Sequence, residues 1–137
     1  MTQKQRIPLR ETCAAHLKEA RIQMGFSQME VAKRAGIERS WYAKVESDRV
    51  NISLETLEKV RRVVETAPQP SSLVAEVGQR IRKARHERFS QEALSQAAGL
   101  NVFYVGRLER GVTNPGLDQI GAIASALGVD PLVLIAI

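Results

Sequence analysis

The chain has 137 residues, 44% of them hydrophobic and 4% aromatic, with a formal charge of +5 and a pI of about 9.8. No run reaches the roughly 18–20 apolar residues of a membrane span, and the opening MTQKQRIPLRET has no apolar stretch of a secretory signal. A single cysteine excludes an internal disulfide and points to a reducing, cytoplasmic compartment.

Residues 1–11 read as a polar, basic tail with Lys4, Arg6 and Arg10. Leu17, Ala20 and Met24 then recur at helical spacing. Ser27 can cap a second helix, with Glu30 placed to complete a capping box. Gly36 supplies the left-handed residue that ends it. A third helix follows from Glu38, a poor cap, and a fourth carries Leu54, Leu57, Val60 and Val64 on one face. Residues 66–72 form a Pro/Ser linker which, extended at about 3.1 Å per residue, spans roughly 20 Å and lets its two sides move. The pattern then restarts. Val77, Ile81 and Ala84 mark a helix, Ser90 caps the next without a glutamate at Ala93, and Gly99 ends it. Asn101 is a good cap for the following helix, Leu117, Ile120, Ile123 and Leu127 line another, and Asp130-Pro131 starts a last short one.

The second half is thus a rewriting of the first: residues 17–60 return at 81–123, with a constant offset of 63 after the serines. Gln28/Gln91, Gly36/Gly99, Ile37/Leu100, Trp41/Tyr104, Lys44/Arg107 and Glu46/Glu109 keep their chemistry. A period of 63 is too long for a solenoid repeat. The expectation is an all-α chain of two tandem units, 12–65 and 73–137, each of four to five short helices. Residues 1–68 carry 13 Lys/Arg against 9 Asp/Glu, and residues 69–137 carry 7 against 6. The basic balance favours a polyanionic partner, and the first copy is its better candidate.

A helix, a glycine-bearing turn and a second helix make a helix-turn-helix unit. Through LKEARIQMGFSQMEVAKRAGIERSWYAKVESD and IRKARHERFSQEALSQAAGLNVFYVGRLERG, both copies resemble the Xre/Cro/CI-type, lambda-repressor-like helix-turn-helix family of bacterial and phage regulators. The resemblance implies a cytoplasmic transcription regulator that binds double-stranded DNA at palindromic or tandem sites and catalyses nothing. It implies phosphate contact by Gln28 and Gln91, beside the helix-capping Ser27 and Ser90, where a helix N-terminus attracts anions. The third helix would enter the major groove. There Arg39 is the leading base reader, since arginine pairs bidentately with guanine; Ser40 and Lys44 stand behind it. Trp41 either packs on a sugar–phosphate ridge or covers the domain edge. Arg49 and Asn51 match the family's backbone-contacting loop. The resemblance also implies structural ion pairs, Arg21 with Glu46 and Arg85 with Glu109.

Copy two replaces the reading face with Val102, Phe103 and Tyr104, leaving Arg107, Arg110 and Asn114 as polar contacts. Val102 and Phe103 could touch thymine methyl groups, or the three could form a protein interface. The apolar segment Leu132–Ile137 splits similarly. Leu134 or Ile135 completes the second core, or Leu134, Ile135 and Ile137 serve a homodimer or another partner. A rival function follows: an antiactivator whose helix-turn-helix fold sequesters a transcription factor. Cys13, His16 and His86 cannot assemble a four-ligand zinc site, and no glycine-rich phosphate loop is present, so neither a metal nor a cofactor is expected.

Overall fold

The structure, a computed structural model, describes residues 9–65 and 72–136. Lys4 and Arg6 of the basic tail, residues 66–71 of the linker, and Ile137 lie outside the described residues. The first copy contains α1 (Leu9–Met24), α2 (Gln28–Ala35), α3 (Arg39–Glu46) and α4 (Leu54–Val64). The second contains α5 (Leu73–Arg85), α6 (Gln91–Ala97), α7 (Tyr104–Glu109), α8 (Leu117–Leu127) and α9 (Pro131–Ile135). Helix α1 already includes Leu9, inside the expected tail, and that residue is buried in the core.

Local chemistry sets the helix ends. Ser27 accepts the Glu30 N–H at 3.1 Å while the Glu30 carboxylate accepts the Ser27 N–H at 2.9 Å, closing the capping box. Ser90 keeps only the first half of this arrangement, accepting the Ala93 N–H. Asp48 stands where copy two has Gly111, and both adopt positive φ, 64° and 74°. Asp tolerates that region less well than Gly, so this turn of copy one carries strain. In copy two the helix expected from Asn101 begins only at Tyr104. The Asn101 side chain accepts the Phe103 N–H at 2.9 Å, holding residues 101–103 as a turn.

The four-residue apolar sets of α4 and α8 are buried, as are Leu17, Val77 and Ile81. They do not form two separate cores. The buried side chains of both copies make one continuous cluster, with α1 against α8 and, reciprocally, α4 against α5. Sequence alone suggested tethered units free to move; the structure joins them along a seam. The Leu54 N–H donates to the Pro115 carbonyl and the Leu117 N–H to the Ile52 carbonyl, both at 2.8 Å. Beside these, the Glu55 N–H donates to Asn114 Oδ1 at 3.2 Å and the Asp118 N–H to Asn51 Oδ1 at 2.8 Å. Every one of these bonds maps onto its counterpart by the offset of 63. The seam is therefore a local two-fold centred on the Ser53–Gly116 bridge.

Further contacts cross the seam without a symmetry mate. Arg61, only 6% exposed, pairs with Glu65 and donates to the Ile135 and Ala136 carbonyls. Glu58 accepts the Leu73 N–H at 3.2 Å at the start of α5. Arg10 lies between Asp48 and Asp118 at 3.5 and 3.7 Å. One core and one seam predict one cooperative transition in urea, with fluorescence and circular dichroism coincident. Asn114→Ala should lower stability by about 1 kcal/mol, the usual worth of a helix-capping side chain. Two resolved transitions would contradict the shared core.

Candidate nucleic-acid interface

Each helix-turn-helix pair is braced by the same three side chains. In copy one, Arg21 donates to Glu46 through Nε at 2.6 Å and Nη2 at 3.1 Å, and Gln28 Nε2 donates to Glu46 Oε1 at 3.0 Å. In copy two, Arg85 donates to Glu109 at 2.6 and 2.8 Å, and Gln91 Nε2 donates to Glu109 Oε1 at 3.0 Å. Arg21 also reaches the Phe26 carbonyl at 2.8 Å, before the cap of α2. The first helix, the start of the second and the end of the third are thereby locked together. Bidentate arginine–carboxylate geometry makes this lock directional as well as strong.

Burial acts to raise the Glu46 carboxyl, but the bonds from Arg21 and Gln28 outweigh it and hold the group below the usual carboxylate range. The hydrogen bond to Glu46 raises Arg21, and that to Glu109 raises Arg85. Tyr42 is buried beneath this site, and its hydroxyl makes no hydrogen bond of acceptable geometry. Burial pushes that hydroxyl above the usual phenol range.

Outside the braces lie the residues singled out in the sequence. Arg39, Ser40, Lys44 and Arg49 are exposed, and Trp41 is 37% exposed. Ser40 Oγ donates to Glu38 Oε1 at 2.9 Å. Ser27 and Ser90 are exposed caps, and Gln28 and Gln91 are half-buried beside them. Arg107 and Arg110 are exposed on copy two, Phe103 is 59% exposed, and Val102 and Tyr104 are half-buried. Arg34, which sequence reasoning passed over, stacks on the Phe26 ring at 4.5 Å, and Arg88 on Phe89 at 5.6 Å.

Other residues singled out in the sequence are committed elsewhere. Asn51 and Asn114 bond across the seam. Leu134 and Ile135 are buried in the core beneath α5 and α8, so they are not available as an outer interface. Cys13 is likewise a core residue, and burial pushes its thiol up to about 12. His16 is held by Glu65 at 2.8 Å. Among the described residues, no three His, Cys, Asp or Glu side chains stand close enough to hold a metal, and no helix is long and apolar enough to cross a membrane.

The helix-turn-helix family model HTH_3 matches residues 17–69 and again residues 79–134. The chain belongs to the helix-turn-helix family. It is 37% identical over 68 residues to an uncharacterized HTH-type transcriptional regulator, y4wC, of Sinorhizobium fredii, covering 49% of this chain and 48% of that protein. It is 41% identical over 56 residues to the control protein C.BamHI of Bacillus amyloliquefaciens, covering 39% and 69%. It is 43% identical over 54 residues to the immunity repressor protein of Bacillus phage phi105, covering 39% and 38%. The chain therefore spans about half the length of the first of these relatives. No solved structure is a significant match.

In helix-turn-helix terms, the Arg21–Glu46–Gln28 brace sets the angle between the paired helices α2 and α3. Glu46→Gln should cost about 3 kcal/mol at pH 7, because Glu46 is 3% exposed and Arg21 would lose its charge partner. A depressed carboxyl stabilises the fold above its unfolded value of about 4.5 and loses that contribution as pH falls through its lower folded value. The gap between wild type and Glu46→Gln in urea denaturation should therefore narrow from pH 7 to about pH 3. A gap independent of pH would contradict the brace.

Proposed function

We propose that the chain is a sequence-specific regulator of transcription, of bacterial or phage type, that binds double-stranded DNA in the cytoplasm without cofactor or catalysis. The observation that carries this reading is the brace repeated in both copies. It holds each glutamine at the N-terminus of the second helix with one amide N–H fixed on a glutamate. The remaining N–H of Gln28 and of Gln91 is then pre-oriented for a phosphate, where the helix end already favours an anion. Ser27 and Ser90 fix those helix ends by capping them, and the Ser27 N–H is itself held by the Glu30 carboxylate.

Recognition follows from what stands outside the brace. Arg39, at the first position of α3, reaches for guanine O6 and N7. Lys44 and Ser40 flank it, Ser40 after exchanging its bond to Glu38. Trp41 covers the sugar–phosphate ridge, and Arg49, Arg107 and Arg110 neutralise phosphates. Asn51 and Asn114 set the separation of the copies rather than touching DNA, since their amides cap the opposite copy's helices. A second reading, sequestration of another transcription factor, draws on the exposed Phe103 beside half-buried Val102 and Tyr104.

Arg39→Ala should weaken binding by about 1–3 kcal/mol and relax preference at one base pair. Gln28→Ala should weaken all duplexes alike and leave the slope of affinity against salt nearly unchanged, since a neutral amide releases no counterions. Competition titrations at several salt concentrations measure both effects. Identical sequence profiles for the two variants would contradict these roles, and capture of a transcription factor without any duplex binding would favour sequestration.

A further inference from the structure

The two-fold seam and the unequal faces it joins have a joint consequence that depends on the DNA-binding reading above. A duplex has its own two-fold axes, and a symmetric protein dimer reads inverted half-sites by sharing one of them. Here the reciprocal bonds of Leu54 with Pro115 and Leu117 with Ile52 create such an axis inside one chain. Arg61 adds a buried anchor from α4 to the carbonyls that end α9. Yet the helices exchanged by the axis differ: Arg39 and Ser40 become Val102 and Phe103, while Lys44 and Arg107 both keep a cation.

We propose that a single chain acts as a built-in pseudo-dimer and occupies one asymmetric duplex site made of two dissimilar half-sites at fixed spacing. The half-site under α3 carries guanine for Arg39. The half-site under the turn and α7 carries thymine, whose methyl groups meet Val102 and Phe103. A second copy of the chain is not required, because the position of a dimer partner is taken by the chain's own other half.

The test begins with selection of duplexes from a random pool by the full-length chain, followed by sedimentation of the complex on the selected site. The expected result is a non-palindromic site holding one chain per duplex. Inserting about five base pairs between its halves, roughly half a helical turn, should cut affinity about a hundredfold or more, because both halves can no longer engage together. Two chains on an inverted repeat of the Arg39 half-site, or indifference to the insertion, would overturn the pseudo-dimer while leaving DNA binding intact. Failure to retain any duplex would overturn both this inference and the reading beneath it.

Discussion

Two backbone hydrogen bonds, from the Leu54 N–H to the Pro115 carbonyl and from the Leu117 N–H to the Ile52 carbonyl, decide how the rest of this molecule is arranged. The first N–H groups of any helix lack a partner inside that helix. In α4 the first is satisfied by Pro115, the second by Asn114 and the third by the chain's own Ser53. In α8 the first two are satisfied by Ile52 and Asn51. Each copy thus completes the helix start of the other. The apolar faces that follow, from Leu54 and from Leu117, are carried directly into a common core.

Given that seam, the braces have a different task. Arg21–Glu46–Gln28 and Arg85–Glu109–Gln91 act within each copy and leave its outer surface free to vary. The molecule therefore combines a conserved internal geometry, the same in both halves, with unequal exteriors. One exterior is cationic, with Arg39, Lys44 and Arg49 exposed; the other carries a projecting Phe103 beside Arg107 and Arg110. Membership of the helix-turn-helix family accounts for the shared geometry. The difference in chemistry lies in the residues that the two copies do not share.

Much of this was legible in the sequence because it is local. Capping by Ser27 and Ser90, the left-handed Gly36 and Gly99, the apolar faces of α4 and α8, and the short helix after Asp130 all depend on residues a few positions apart. Both ion pairs were legible through the family resemblance and not through the repeat's register, because one residue is missing before Ser90 and the partners stand 25 apart in copy one but 24 apart in copy two. The seam was not. A buried face reads the same whether it meets its own copy or the other, and periodicity carries no label for the partner. Asn51 and Asn114 accordingly resembled loop residues of a DNA contact, and the apolar Leu134 and Ile135 left an outer surface open as an alternative. Arg61 gave no signal at all. Its position on the inner face of α4 matches Ala124 in copy two, so only the three-dimensional path of α9 explains a buried guanidinium there.

Residue-resolved hydrogen exchange at the Leu54 and Leu117 amides examines the reciprocal seam most directly. If the two halves form one body, both amides exchange only through global unfolding, at the same free energy as Val60 and Ile123 in the helix interiors. Rapid exchange at Leu54 and Leu117, with those interior amides still protected, would mean that the halves separate while folded, and the account of a single two-fold body would fail.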